Sequence, residues 1–446
     1  MYGYPNINIV ISFINTDVNE SLEFIKQIPS IYLIYSFILI SLAIYIIKNQ
    51  KYIKINNNII LFSVFIIVVI STPLSDYCKG KLSTSSFKFT LFKFSNDIIS
   101  SYNQVTNFNK NLKELINNKS DWNPTPVKND YDTYIVVIGE SVRSDFMHTY
   151  GFSLNNTPYL DSINGLIFKN YISASGATQL SLSRTLALSN GKHIDFKNNI
   201  IKLAKKQGFR TYWVSNQGSF GNDDSISAMI GKQADSVTFL KKGEYNTEKY
   251  LDENLVTPYK SALLDNNYSN KKLIFIHLMG SHPDFCERVN YKYDEFFVNK
   301  KLSCYVQSIK NTDTLLSKIA SYATQNNKRW TMMYFSDHGL SYQDRDGNIT
   351  IEHSSSYKKN FHVPFFITSY NDKKRNEINH YRSAFDFMSL YLRWTGSTDL
   401  LINKNCDLLS DIDCGDELKI IDFNNNMKNY KNLPDDFKLS HPIPAH

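Results

Sequence analysis

Five short apolar runs constrain the fold of this chain more than any other feature: residues 134–138, 211–214, 273–276, 331–335 and 363–367. Each is continuous and rich in β-branched or aromatic residues. A strand with one wet face alternates apolar and polar positions, so runs without alternation predict strands covered on both faces. Stretches with helical character, such as 198–207 and 306–322, fall between them. That order predicts an α/β sandwich around a mostly parallel central sheet. No internal repeat is evident.

In open α/β sheets, reactive groups collect just beyond the carboxyl ends of the strands. Here Gly139-Glu140-Ser141 follows the first run, Ser215-Asn216-Gln217 the second, His277 and then His282 the third, and Ser336-Asp337-His338-Gly339 the fourth. One Asp-His pair at a strand end is weak evidence; four such ends together predict an active site. Carboxylate and imidazole suit Zn²⁺, which takes about four donors in protein sites. Glu140, Asp337 and His338 supply three, and a nucleophilic hydroxyl would be the fourth, activated by the metal. His282 and His353 suit the neutralisation of phosphate charge, or the binding of a second zinc. Taken singly, each histidine could equally be an ordinary core or surface residue.

The hydroxyl is sought in residues 171–184, where Gly176 permits a tight loop before an apolar helical stretch. Thr178, at the start of that helix, is the expected nucleophile, because free backbone amides there favour developing negative charge. A plain helix N-cap is the competing role for Thr178, and Ser175 and Ser181 are the fallback nucleophiles.

Residues 31–47 are almost unbroken apolar sequence, and 59–70 form a shorter run ending at Ser71-Thr72-Pro73. They predict two transmembrane helices, at about 31–49 and 59–74, although the second run could instead be a buried core helix. The Lys-bearing loop between them, 48–54, reads as cytoplasmic, which puts both outer flanks outside. Residues 1–30 would then lie outside with no signal sequence to carry them, and crossings upstream of this chain are the favoured explanation over hairpin insertion. The expected organisation is a partial membrane domain at 1–75, interfacial helices or linker at 76–130, and a catalytic domain at 131–446.

A net charge of +7 could suggest nucleic acid, but the 49 Lys and Arg residues are scattered among Asn, Ile and Tyr along the whole chain. No groove-reading motif accompanies them, so no nucleic-acid partner is expected. Of five cysteines, Cys286 and Cys304 flank one polar loop, Cys406 and Cys414 another, and Cys78 is left over. Two loop staples suit an exported domain in an oxidising compartment.

The motifs Gly139-Glu140-Ser141-x-Arg143, Asn156-Thr157-Pro158-x-Leu160, Ser215-Asn216-Gln217, His277-x-Met279-Gly280-Ser281-His282, Ser336-Asp337-His338-Gly339 and His362-Val363-Pro364 occur in this order. Together they resemble the membrane-anchored phosphoethanolamine transferases of Gram-negative envelopes, whose catalytic domain is of the alkaline phosphatase/sulfatase type. Asn15-Thr16-x-x-x-Glu20-x-x-Glu23-Phe24 resembles that family's outer-face loop, which implies substrate contacts by Asn15 and Glu20. Five membrane helices precede the catalytic domain in the full family pattern; here only the last two are evident.

The resemblance implies a zinc site of Glu140, Thr178, Asp337 and His338, with Thr178 the covalent nucleophile and His282 and His353 at the phosphate. It implies one tightly bound Zn²⁺, with a second as an alternative. The implied reaction moves phosphoethanolamine from phosphatidylethanolamine to an envelope glycan (lipid A, lipopolysaccharide core or another glycan) through a phospho-threonine. The implied location is the inner membrane, with the catalytic domain in the periplasm. A phosphoglycerol transferase of the same fold and an N-terminally truncated inactive remnant are the alternatives. A true sulfatase is disfavoured, because Ser181-Leu182-Ser183-Arg184 lacks the expected proline.

Overall fold

The protein is described by a computed structural model. It covers residues 10, 28, 30–49, 90–219, 224–242, 249–266, 271–326, 328–345, 347–402, 406–415 and 417–437. Asn15, Glu20, Cys78 and the second expected membrane span lie outside the described residues. The chain divides into two compact units, Met1–Asn111 and Leu112–His446.

In the first unit, helix α1 (Ser30–Asn49) coincides with the first expected span. Its large apolar side chains are exposed, among them Phe37, Leu39 and Ile40. Among the described residues no helix is long and apolar enough to cross a membrane. Helix α2 (Thr90–Asn117) forms in the region expected to be amphipathic helix or linker. Leu112 and Ile116 near its end are buried in a core cluster of the second unit.

The second unit is built on a nine-stranded sheet. Its strands are β1 (Thr133–Gly139), β2 (Gly165–Ile172), β3 (Arg210–Ser215), β4 (Ser236–Phe239), β5 (Lys272–His277), β6 (Trp330–Ser336), β7 (His362–Ser369), β8 (Arg375–Ile378) and β9 (Arg382–Ser383). The order across the sheet is β8-β2-β7-β6-β1-β5-β3-β4, with β9 also pairing β2. Strand β1 is parallel to both neighbours, β5 and β6. Strand β7 runs antiparallel to both of its own, so the sheet is mixed and mostly parallel.

The absence of polar alternation has the expected cause. Tyr134, Val136 and Ile138 of β1 enter one core cluster, while Ile135 and Val137 enter another. Leu273 and Phe275 of β5 divide from Ile274 and Ile276 in the same way. Alternate side chains leave a strand on opposite faces, so the sheet has a dry core on each side. Helix α5 (Lys300–Gln325) covers one face. Its buried Leu302, Ile309, Leu316 and Ile319 recur at helical spacing, and the Asn299 side chain caps its first turn by accepting from Leu302 N. Helices α4 (Ile200–Lys206) and α6 (Phe387–Thr395) supply buried apolar residues to the other face. The helix expected at 198–207 begins later because Asn198 and Asn199 close a short strand, and Asn199 caps α4.

Disulfides join Cys286 to Cys304 and Cys406 to Cys414, as the loop spacing predicts. The first ties the segment after His282 to α5.

Candidate active site

Register brings the site together. Gly139 of β1 pairs with Ser336 of β6, so Glu140 and Asp337 leave the sheet side by side. Ser141 adopts φ 60°, a left-handed conformation unusual for serine. From there its N–H donates to Asp337 Oδ1 at 3.0 Å and its Oγ donates to Glu140 Oε1 at 2.6 Å. Opposite them, helix α3 (Thr178–Thr185) begins with the hydroxyl of Thr178. The N-cap position is Ala177, so Thr178 is not the cap. Its loop lies close against the His353 segment: a Cβ at Gly176 would sit 2.3 Å from the Ser354 carbonyl oxygen.

Thr178 Oγ1 lies 3.1 Å from Glu140 Oε2 and 3.2 Å from His338 Nε2. His338 Nε2 lies 3.3 Å from Glu140 Oε1 and 3.5 Å from Asp337 Oδ2. Four donors at the corners of a tetrahedron around Zn²⁺, each at about 2.0–2.1 Å, stand about 3.3 Å apart. Glu140, Thr178 and His338 therefore already have the mutual spacing of zinc ligands, with Asp337 Oδ2 beside His338. His338 Nδ1 lies 2.9 Å from the Gly339 carbonyl oxygen, which fixes the tautomer with its proton there and leaves Nε2 as a lone pair. Asp337 Oδ2 is buried and has no hydrogen-bond partner. An orphaned carboxylate oxygen beside an imidazole lone pair fits a cation.

The electrostatics agree. Burial alone would raise the Glu140 carboxyl, but the hydrogen bond and charge of His338, His282 and Ser141 hold it well below the usual range. Burial and the adjacent Glu140 charge push Asp337 up to about 8. Burial opposes the His338 cation, yet Asp337 and Glu140 outweigh it and raise that imidazole to about 9, so a metal would displace the Nε2 proton to reach the lone pair. Two carboxylates this close cannot both ionise without a compensating positive charge, and a divalent cation is one that needs no proton.

Around this set, Glu140, His338 and His353 offer ligand atoms within 4.8 Å of one another. The His353 ring lies 4.8 Å from that of His338 and 6.4 Å from that of His282. Of the expected residues, the structure thus gathers Glu140, Thr178, Asp337, His338, His282 and His353. The fallback hydroxyls are engaged elsewhere: Ser175 Oγ donates to the Ile421 carbonyl and Ser181 Oγ to the Asp337 carbonyl.

Sequence reasoning gave no role to Gln217, whose Nε2 donates to both Glu140 Oε2 and the Leu278 carbonyl at 3.0 Å. Its place two residues after a strand end was the available signal. His277, singled out as a strand-end imidazole, points into the core. Burial lowers it to about 4, and it is neutral at physiological pH.

An α/β fold of this sheet order with a carboxylate–imidazole–hydroxyl site at the strand ends defines the alkaline-phosphatase class, and a sulfatase family model matches residues 132–397. The chain belongs to the sulfatase family and, within it, to the phosphoethanolamine transferases. It is 34% identical over 440 residues to the phosphoethanolamine transferase OpgE of Escherichia coli K12, covering 95% of this chain and 82% of that protein. Among solved structures it resembles the integral membrane lipooligosaccharide phosphoethanolamine transferase A of Neisseria meningitidis, with a TM-score of 0.60 at 16% identity over 90% of this chain and 81% of that one. It also resembles the periplasmic domain of Escherichia coli EptC in complex with zinc, with a TM-score of 0.58 at 19% identity over 70% of this chain and 96% of that one. At these identities the two structures speak for the fold alone.

Proposed function

We propose that this enzyme moves phosphoethanolamine from phosphatidylethanolamine to an envelope glycan or lipid acceptor, through a phosphoester on Thr178. The observation that carries the reading is the position of Thr178 Oγ1, within 3.2 Å of both Glu140 and His338. Glu140, Thr178, Asp337 and His338 would hold one Zn²⁺, the metal bound by the related EptC domain. Zinc at that place would lower the pKa of the threonine hydroxyl and offset phosphate charge.

In the first half-reaction Thr178 Oγ1 forms a bond to phosphorus while the bond from phosphorus to the glycerol oxygen breaks. The histidine pair, His282 and His353, takes the Thr178 proton and passes it to the glycerol oxygen, which departs as diacylglycerol. In the second half-reaction an acceptor oxygen attacks the same phosphorus and Thr178 leaves, recovering a proton. The histidines take the acceptor hydroxyl's proton and hand it to Thr178 Oγ1. A second zinc at His282 and His353 is the alternative use of that pair.

The exposed apolar side chains of α1 support membrane anchoring by the segment 31–49, with 59–74 as its partner. A lipid donor presents its headgroup at the bilayer surface, which explains the value of an anchor. The division proposed is a partial membrane domain at 1–75, a linker at 76–130 and a periplasmic catalytic domain at 131–446, with Asn15 and Glu20 contacting the donor.

The test is mass spectrometry of the peptide bearing Thr178 after incubation with headgroup-labelled phosphatidylethanolamine. A phosphoethanolamine adduct on Thr178 is expected. An adduct on another residue, or labelled product from Thr178→Ala at the normal rate, would overturn the reading.

A further inference from the structure

We infer that Asp252, which no site motif contains, is a positioning residue that fixes Glu140 and His282 through one buried carboxylate. The inference rests on the reading above, in which Glu140 is a zinc ligand. Asp252 lies at the start of a short helical turn, Asp252–Leu255, far in sequence from every site residue. Its Oδ1 accepts from Met279 N at 2.8 Å and from Asn216 Nδ2 at 2.8 Å. Its Oδ2 accepts from Gly280 N at 2.7 Å.

Those three donors belong to two strand-end loops, after β3 and after β5. Each loop touches Glu140. Next to Asn216, Gln217 donates to Glu140 Oε2 at 3.0 Å. Beside Gly280, Ser281 N donates to the Glu140 carbonyl at 3.0 Å. Gly280 itself has φ 51°, and a Cβ there would stand 2.9 Å from Glu140 N, so its backbone rests directly on the ligand residue. His282 N then donates to the Met279 carbonyl, which places the imidazole off the same clamped turn. A charged acceptor with short bonds to two successive N–H groups holds a loop more firmly than neutral partners do. The clamp therefore sets where Glu140 and His282 stand relative to each other.

Asp313 provides a matched control. It is equally a buried carboxylate holding two successive N–H groups, those of Tyr159 and Leu160, each at 2.9 Å, but it touches no site loop. Its loss should affect folding and leave the site alone.

The experiment compares zinc dissociation constants of the full chain, measured by competition with a chelator, alongside thermal unfolding. In Asp252→Asn one oxygen becomes an amide that faces the Gly280 N–H donor to donor. Zinc affinity should fall by about 10-fold or more, the range seen when residues supporting metal ligands are changed. Asp313→Asn should keep the wild-type zinc constant even where its Tm drops. Asn216→Ala, which removes one arm of the clamp, should weaken zinc by a smaller factor and decides the matter if Asp252→Asn does not fold. Equal zinc constants in wild type and in the folded clamp variants would overturn the inference. A wild-type chain that binds no zinc would instead overturn the reading of the site itself.

Discussion

Arg143 and Asp436, 293 residues apart, form a buried ion pair at 2.6 Å beneath the active-site loop. Asp436 Oδ2 also accepts from Tyr342 N, and Arg143 makes a two-pronged contact with Asp145 at 2.9 Å. Arg143 Cγ lies 3.4 Å from where a Cβ of Gly339 would be, so the guanidinium stem runs under the residue after His338. The segment around Asp436 is thereby tied to the loop that carries Glu140. Removing Asp436 leaves buried Arg143 with one carboxylate partner in place of two and the Tyr342 N–H without its acceptor. Asp436→Ala is expected to destabilise the second unit by roughly 3 kcal/mol, checked by urea unfolding. Unchanged stability would show that Asp145 alone satisfies Arg143.

Thr178 makes no helix-capping bond, so replacing it should affect chemistry more than folding. Thr178→Ala is expected to lower transfer by roughly a thousandfold or more, with a Tm near wild type. Thr178→Ser, which keeps the oxygen, should retain measurable turnover. A fully active alanine variant would remove the hydroxyl from the mechanism.

Zinc should stabilise the folded chain through Asp337. At a free zinc concentration about 100 times Kd the gain is about 2.7 kcal/mol. Calorimetry with and without a chelator checks this. In Asp337→Asn most of the zinc-dependent shift in Tm should vanish.

His277 gives a pH dependence with a defined sign. Its folded pKa, about 4, lies below the usual 6.5, so the unfolded chain binds more protons between those values. Stability therefore rises with pH from about 4 to 6.5 and is level in this contribution above that. The full difference is of order 3 kcal/mol. His277→Gln should flatten this limb, and unfolding free energies at pH 5 and pH 7 would show it. An unchanged slope would mean that His277 is not the group responsible.

A chain starting at Leu112 contains the whole second unit, including Leu112 and Ile116 of its core. It should fold and bind zinc but not float with phosphatidylethanolamine vesicles, whereas the full chain should float. Flotation of the shortened chain would assign membrane binding to the second unit instead.

The five apolar runs are legible as buried strands because they are only four or five residues long and rich in β-branched or aromatic residues, where a buried helix would need a longer run. The reversal of β7 is not legible. Direction depends on how its connection packs, and a short hairpin, Ser341–Arg345 with Asn348–Glu352, intervenes before it. Glu140, Asp337 and His338 can be read from strand-end position, since the pleat carries the residue after each run out of the sheet. His353 follows the hairpin instead, so only its residue type and family pattern mark it. Asp252 stands beside Glu253 and Asp436 beside Asp435, and their meaning lies in donors elsewhere along the chain, backbone N–H groups for both and the Arg143 guanidinium for Asp436. Nothing local distinguishes them from a solvated surface.

The pairing of Gly139 with Ser336 also bears on the making of the protein. Ser141 and Asp337 meet across 196 residues of sequence, so the carboxylate pair does not assemble until six of the nine sheet strands have been synthesised and β1 has paired with β6. Closing so long a loop is a late event in assembly. Zinc at the proposed site could thus reward a sheet whose centre is built but could not template an early one. On that reading, a cell short of zinc would hold assembled, idle enzyme, which a later supply of the metal could activate without new synthesis.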